Sequence, residues 1–497
     1  MPAPQSRVVF IVIDGMGTEA FEQAVASGRA PALSFLRKNS TYVRDSVAMF
    51  PTITPAATAS LITGEVPARH GIPGMCWYDR DAERFVNYGQ SFRAAAVQGM
   101  KRMVRDFLVN MNARHLNGDV RTLHEVLHEM GRATASINFM VFRGPFEERL
   151  EPNLLHRMLL PWRRMPEALP GPKEHYFADI ISGPSDACSG VLKVRGFDKR
   201  MAATDAYAAC VTSDLLEQNA ADMILFYLHE NDHLSHKYGP QSQVDNLVDA
   251  DRHIAEVLGT FGSWEQTLER VGFVVTADHS QSPVSNERER ILDIGEVLDG
   301  FEQVRPGKRE EFEDRDVAVC GNGRVAFVYL NDQRRGFLLQ KVIDSLVECE
   351  GIDQVIWRDG PVYCIRSDHG FMRFAQTDGG GVVDERGNNW RVEGDLGAVS
   401  GVLDEDLIRT PEYPLALWRI KSALDFSRIG EVVATMKLTW ECKDLAGGDH
   451  RGGGDHASLH AQDSMVPFLS TLSSPPLHPA TVDVAPHIVE HFRRLDA

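Results

Sequence analysis

The 497-residue chain has no C-x-x-C pair and no surplus of basic residues. No stretch approaches the ~20 consecutive apolar residues of a membrane span. Its seven cysteines are scattered from Cys76 to Cys442. That wide, odd-numbered set argues against a disulfide framework or a structural zinc site and predicts buried free thiols in a reducing compartment. Lys and Arg total 52 against 70 Asp and Glu, a formal charge of −18. This excludes nucleic-acid packaging, because phosphate backbones are held by clustered cations. It leaves room for a phosphate substrate, since carboxylates that hold divalent metals acquire positive charge locally. The opening MPAPQSRVVFIVIDG lacks the basic, apolar and small-residue segments of a secretion signal, which predicts a cytoplasmic protein. No internal repeat or low-complexity tract is present.

Short, continuous apolar runs dominate the chain. Val8–Ile13, Ala133–Met140, Met223–Leu228 and Val271–Val275 read as buried parallel strands covered on both faces. Helical periodicity lies between them, at Val120–Met130 and Val244–Phe261. Strand–helix alternation predicts an α/β fold, a three-layer αβα sandwich with a mostly parallel central sheet plus inserted cap regions. The length fits two or three structural units. The core is expected from 1–90, 118–144, 201–299 and 423–497. Residues 91–117 and 145–200 are expected to form a cap or lid, and 300–422 a second insertion. A hairpin is expected near Asp384–Gly387, with a return to the core at Glu431–Met436. Ligands of such sheets bind beyond the carboxyl ends of the strands.

Within 91–117, Val97, Met100, Val104, Phe107, Leu108 and Met111 recur at helical spacing opposite Lys101, Arg102 and Arg105. The pattern fits a helix packed on the protein's own core better than one lying on a membrane.

Five segments carry residues suited to chemistry. Asp14 follows the opening strand in IVIDGMG, where helix capping is the ordinary alternative. Residues 50–74, FPTITPAATASLITGEVPARHGIPG, set several hydroxyls ahead of a helix, whose unpaired N–H groups attract anions. A threonine there can attack phosphorus if a metal lowers its pKa, or simply cap the helix. In YLHENDHLSHKYGP, Asp232 and His236 stand at i and i+4, one face of a helical turn, and suit zinc or manganese. Asp278 and His279 follow a buried strand in FVVTADHS. Finally, GGDHRGGGDHASLHAQDSMVPF brings His450, His456 and His460 into a glycine-rich loop.

In this order the segments resemble the alkaline phosphatase superfamily, and within it the type I phosphodiesterase and nucleotide pyrophosphatase branch. The resemblance rests on strand–Asp, P-T-x-T before T-G-x-x-P-x-x-H-G-I, D-x-x-x-H-K-Y-G-P, strand–D-H and a late His. It implies two divalent metals, zinc first and manganese second. One would be held by Asp14, Thr54, Asp278 and His279, the other by Asp232, His236 and His456. Thr54 is the implied nucleophile, from its distance to the Gly of T-G, in preference to Thr52 or Thr58. SDHGF offers a second Asp-His pair, Asp368 and His369, but a weaker strand precedes it. H-A-S before V-P-F favours His456 over His450 as the late ligand. His70, His229, His233 and His460 are expected in supporting or surface positions. The branch's two asparagines are replaced by Ala57 and Met75, leaving Asn231 or backbone N–H groups near Thr54 as candidate donors.

The expected activity is metal-dependent hydrolysis of a small phosphate ester or nucleotide, a phosphodiester first, through a phospho-threonine. No nucleic-acid polymer and no membrane span are expected. A sulfatase is disfavoured because no C/S-x-P-x-R surrounds Thr54. Monoesterase, phosphonate hydrolase and phosphomutase activities share the fold, and a non-catalytic metal- or nucleotide-binding protein is the alternative of another class. In the lid, Arg143, Arg149, Arg163 and Arg164 offer charge for a monoester. Phe92, Phe107 and Trp162 offer apolar surface for a base or an alkyl group.

Overall fold

The computed structural model describes residues 5–90, 92–149, 168–177, 188, 204–307, 311–445 and 448–497. The opening strand, Arg7–Ile13, lies in the middle of a seven-stranded sheet. Across that sheet the order is Thr41–Val47, Met465–Ser470, Val271–Thr276, Arg7–Ile13, Met223–Leu228, Thr134–Ile137 and Glu174–Tyr176. Only Met465–Ser470 runs antiparallel to its neighbours; the other pairings are parallel.

The continuous hydrophobicity of the opening strand has a direct cause. Val9, Ile11 and Ile13 enter one apolar cluster with Phe21, Leu33, Leu36, Leu247 and Ile254. Val8, Phe10 and Val12 enter another with Leu61, Ile62, Leu123, Leu127 and Ile488. Helices therefore cover both faces, and the sheet forms the middle of three layers.

A second sheet of ten strands runs from Val317–Asn322 at one edge to Val402–Asp404 at the other. Its Phe327, Ile356, Ile365 and Trp390 join the cluster of Phe10 and Val12, so the two sheets share one core. The expected hairpin is present: Val382–Asp384 pairs with Asn389–Gly394, and the Gly387 amide donates to the Asp384 carbonyl at 2.9 Å.

Several expectations are corrected. Val432–Met436 does not rejoin the first sheet; it pairs with Val325–Leu330 and Ile352–Asp359 inside the second. A fully apolar strand fits any sheet covered on both faces, so its sequence does not choose between the two. The return to the first sheet comes with Met465–Ser470. The run Ala133–Met140 gives only a four-residue strand, Thr134–Ile137. Part of the proline-rich 145–200 segment belongs to the core, because Glu174–Tyr176 extends the first sheet in parallel with Thr134–Ile137. Cys188 and Cys210 form a disulfide with Cα atoms 5.9 Å apart, contrary to the expectation of free thiols. Their separation of 22 residues carries no signal that the fold brings them together. Cys76, Cys320, Cys349, Cys364 and Cys442 stand outside any disulfide.

Residues 92–115 are helical apart from a break at Gly99, whose φ is 95°, and end in a π-helix over Asp106–His115. Leu108 and Val109 pack against Phe142, Leu169 and Phe177, and Arg84 grips Asp106 through two 2.7 Å bonds. The segment thus packs on the protein itself. Arg143 is buried and bonded to the carbonyls of Leu116, Asn117 and Val120, so it is a structural cation and not a lid charge. Trp162, Arg163 and Arg164 lie outside the described residues, as do the side chains of Phe92 and Arg149. Among the described residues, no helix is long and apolar enough to cross a membrane.

A buried ion pair ties the second sheet to the late loop. Arg324 Nη1 lies 2.7 and 2.6 Å from the two Asp463 oxygens and 2.6 Å from Ser282 Oγ, with both charged side chains wholly buried. Arg324→Met should leave Asp463 without its counter-charge and lower unfolding stability by about 3–5 kcal/mol. Urea unfolding of both proteins checks this, and an unchanged midpoint would refute it.

Candidate active site

Register builds the site. Ile13 lies beside Leu228 and Val12 beside Thr276, so three neighbouring parallel strands end at one edge of the first sheet. The chain leaves that edge carrying Asp14, the helix Glu230–Tyr238 with Asp232 and His236, and the turn with Asp278 and His279. Gly15 lets the first of these turns close: it holds a φ of 68°, and a Cβ there would sit 3.0 Å from Asp232 Oδ1. The late loop closes over the same edge because Gly453 has no side chain; a Cβ there would lie 1.9 Å from the His236 carbonyl.

The structure brings all seven expected residues together. Thr54 Oγ1 lies 3.1 Å from His279 Nε2. That nitrogen is 3.5 Å from Asp14 Oδ1 and 3.5 Å from Asp278 Oδ2. On the other side, Asp232 Oδ2 is 3.3 Å from His236 Nε2, and Asp232 Oδ1 is 3.8 Å from His456 Nε2. The His279 and His456 rings stack 3.6 Å apart and join the two halves. Each imidazole is aimed by its far nitrogen: His236 Nδ1 bonds the Gly454 carbonyl at 2.8 Å, His279 Nδ1 the Ser280 carbonyl at 3.1 Å and His456 Nδ1 the Thr52 carbonyl at 2.5 Å. Backbone partners of this kind leave the Nε2 atoms turned to the carboxylates of Asp14, Asp232 and Asp278.

The geometry separates the threonines. Thr52 Oγ1 donates to the Ser458 carbonyl at 3.0 Å and accepts from the Ala457 amide at 3.1 Å. Thr58 Oγ1 bonds back to the Thr54 carbonyl within its own helix. Thr54 heads the helix Thr54–Thr63 without capping it and lines a cleft of about 860 Å³ shared with Asp232, His236 and His456. Asp368 stands far from this centre in role: it pairs with Lys437 at an exposed turn of the second sheet, and His369 beside it is exposed.

Electrostatics mark the centre as unfinished on its own. Burial, with repulsion from Asp278 and Asp232, holds the Asp14 carboxyl well above its ordinary range. Burial and Asp232 push Asp278 up to about 7. Asp232 is also buried, yet His236, His456 and His279 outweigh that and hold it low. Burial and the neighbouring His279 push His456 down to about 4, in the neutral form that ligates metals. Asp14 Oδ1 and Asp278 Oδ2 are buried without any hydrogen-bond partner. Orphaned carboxylate oxygens beside neutral imidazoles fit divalent cations. Among the described residues three groups have ligand atoms close enough to share an ion, two of them drawn from these seven residues: Asp14, Asp232 and His279, and Asp232, His236 and His456.

A family model for type I phosphodiesterase / nucleotide pyrophosphatase matches residues 8–459. The chain belongs to that family. Solved structures agree on the fold. Murine ectonucleotide pyrophosphatase / phosphodiesterase 5 is 12% identical, with 97% of this chain and 95% of that one covered at a TM-score of 0.54. An inactive variant of the same murine protein has been solved in complex with AMP. Phosphonoacetate hydrolase from Sinorhizobium meliloti 1021, in complex with phosphonoformate, is 17% identical, covers 98% and 96%, and has a TM-score of 0.58. A search of curated proteins gives no significant match. Membership of the type I phosphodiesterase / nucleotide pyrophosphatase family makes the chain a phosphoryl-transfer hydrolase.

Against the family pattern, Ala57 is wholly buried and Met75 lines the cleft. Asn231 does not replace the missing donors, because its Nδ2 is committed to the Asp14 carbonyl at 2.7 Å. Asn322 lines the cleft next to Met75 but clamps the backbone N–H and carbonyl of Cys76 at 2.7 and 2.8 Å. Of the remaining histidines, His70 bonds Ser60 Oγ in the core and His229 faces Asp205. His460 caps the short helix Ala461–Ser464, whereas His233 and His450 line the cleft. Sequence reasoning missed Tyr227, whose hydroxyl donates to Asp14 Oδ2, and Gln281, whose amide donates to Asp232 Oδ1. Tyr227 closes the apolar run MILFYL, where a tyrosine reads as core. Gln281 sits three residues beyond Asp278 with no motif around it.

The raised carboxyls have a consequence for pH. With folded-state values above the unfolded ones, these carboxyls bind protons more tightly in the folded metal-free protein. Metal-free stability is therefore present at acid pH and lost as pH rises from about 4 towards 7, by up to about 1.4 kcal/mol per pH unit for Asp278. Asp278→Asn removes the charge and keeps the acceptor for the Gly15 and His279 amides. At pH 8 in chelator this variant should melt several degrees above the wild type, and added zinc should raise only the wild type strongly. Thermal melts with and without metal check the pair, and a lower metal-free melting temperature for the variant would contradict the reading.

Proposed function

We propose that this chain hydrolyses phosphodiesters, nucleotide-like ones first, through a phosphoryl group carried transiently on Thr54. The observation that carries the reading is the approach of Thr54 Oγ1 to His279 Nε2 beside the unpartnered Asp14 Oδ1 and Asp278 Oδ2. A hydroxyl there is next to groups that fit a cation and at the start of a helix, where backbone N–H groups favour an anion.

Asp14, Thr54, Asp278 and His279 would hold one divalent metal; Asp232, His236 and His456 would hold the other. Zinc suits this mixed carboxylate–imidazole set best and manganese is acceptable. When bound, such a pair supplies Lewis acidity that lowers the Thr54 pKa and neutralises charge on the phosphoryl oxygens and the leaving oxygen. The chain's own part is positional. The helix start aims Thr54 Oγ at phosphorus, and the carbonyls of Gly454, Ser280 and Thr52 fix the three imidazoles. The cleft admits the ester. Thr54 Oγ forms a bond to phosphorus as the bond to the leaving alkoxide breaks, and attack by water then restores the hydroxyl.

Lys237 and Arg451 line the same cleft and favour a second reading, a substrate with another anionic group such as a monoester or a phosphonate carboxylate. Purified enzyme assayed on bis-p-nitrophenyl phosphate and on p-nitrophenyl phosphate separates the two. Diesterase activity should dominate, vanish in chelator and return with zinc or manganese; a dominant monoesterase would favour the second reading. Thr54→Ala should lose turnover by about 10³-fold or more while retaining most of its metal. Near-normal turnover by that variant would refute the phospho-threonine.

A further inference from the structure

Beside the seven residues assigned above lies another set of metal-suited side chains that the proposed mechanism leaves unused. His450, in the loop before the glycine run, directs Nδ1 to Glu441 Oε1 at 2.6 Å, and its amide donates to Glu441 Oε2 at 2.8 Å. The same Nδ1 faces Asp455 Oδ2 at 3.8 Å. Glu441 and Asp455 are 1% and 3% exposed, so both are cut off from water. Asp455 Oδ1 accepts from the His456 amide at 2.8 Å, but Oδ2 is buried without a hydrogen-bond partner and points at this imidazole. Asp455 and His450 also form, with His236, a group whose ligand atoms lie within 4.8 Å of one another.

We infer that Glu441, His450 and Asp455 form a third cation site on the wall of the cleft, taking a divalent ion of the manganese or zinc class. Two carboxylates and one imidazole are an ordinary donor set for such an ion, and the unpartnered Asp455 oxygen supplies a ligand with no other use. His236 already turns Nδ1 to the Gly454 carbonyl, so it forms the boundary between this site and its neighbour.

Charge supplies a reason for the extra ion, and here the inference rests on the two-metal reading. Asp14, Asp232, Asp278, Glu441 and Asp455 bring five negative charges to one small region. Two divalent ions answer four of them, which leaves the region negative before an anionic ester arrives. A third ion at His450 turns that balance to one positive charge, on the side of Lys237 and of Arg451 with its partner Asp449 at 3.0 Å. That side can then receive the part of the substrate that is not being cleaved, such as a further phosphate. A proton on His450, held between the two carboxylates, is the competing way to balance the charge, and it fills the site without metal.

The test is the number and position of ions in the intact chain loaded with manganese alone. Anomalous scattering from manganese-loaded crystals should show three peaks, one bonded to His450, Glu441 and Asp455. Metal analysis after removal of excess manganese should give three ions per chain for the wild type and two for His450→Ala and for Glu441→Gln. Unchanged circular dichroism in either variant shows that the fold survives. Two ions in the wild type with no peak beside His450 would overturn the inference in favour of the proton. Loss of the peaks at Asp14–Asp278 and Asp232–His236 is a separate observation and would overturn the two-metal reading instead.

Discussion

Repulsion among buried carboxylates governs this structure. Asp14, Asp232 and Asp278 reach one point because three parallel strands end in register there, and the interior offers them little water. A carboxylate in such a place is either protonated, paired or bound to a cation. Asp232 is paired with imidazoles, but Asp14 and Asp278 have oxygens with no partner at all. The α/β sheet thus gathers, at its carboxyl edge, buried carboxylates whose mutual repulsion a divalent cation would relieve. The conflict between local stability and the site is what a functional centre looks like when its ion is considered separately from its protein.

The second sheet makes that shell possible. Its strand Val325–Leu330 is preceded by Arg324, whose guanidinium locks Asp463 while its amide bonds the His456 carbonyl at 2.9 Å. Asp463 in turn accepts from the Ser458 amide and hydroxyl. One buried cation therefore fixes both ends of the loop that delivers His456. Arg419 adds a parallel brace from the helix Ala416–Leu424, bonding the Leu459 carbonyl and Ser464 Oγ. A glycine-rich loop is free to wander on its own; two buried arginines convert it into a fixed wall. The ten-stranded sheet is in this sense part of the machinery, although none of the seven central residues lies on it.

Much of this was legible before any coordinates. Strand ends and helix starts are local features, so the segments of Asp14, Asp232 and His236, and Asp278 and His279 stand out, while Thr54 among the threonines and His456 among the late histidines follow from the family resemblance; the fold brings all seven together. The parallel core strands were equally clear from runs such as MILFYL. What failed was non-local. VVATM could have belonged to either sheet, and nothing around Cys188 and Cys210 announces that they meet. Arg143 read as a possible lid charge because burial of an arginine is invisible without the three carbonyls that surround it. Glu441 and Asp455 were passed over for a related reason, since a single acid next to a glycine run has no meaning until His450 is placed beside it.

The same reasoning bears on the replacement of the family's asparagines. A donor aimed at the phosphoryl oxygen stabilises charge that develops during transfer, an effect of about 3–4 kcal/mol for one good hydrogen bond. In this chain, Ala57 and Met75 cannot supply it, and the amides of Asn231, Asn322 and Gln90 donate to backbone carbonyls, which leaves Asn286 as a further amide on the cleft wall. The cleft also carries charge and imidazoles, with Lys237, His233, His450 and Arg451 along its wall beside Asp449, which pairs with Arg451 at 3.0 Å. Charge is less directional than a hydrogen bond, so it constrains the geometry of a substrate less tightly while favouring a more anionic one. Under the proposed phosphodiesterase reading, the substrates best served by such a wall are nucleotide-like diesters that carry a further anionic group.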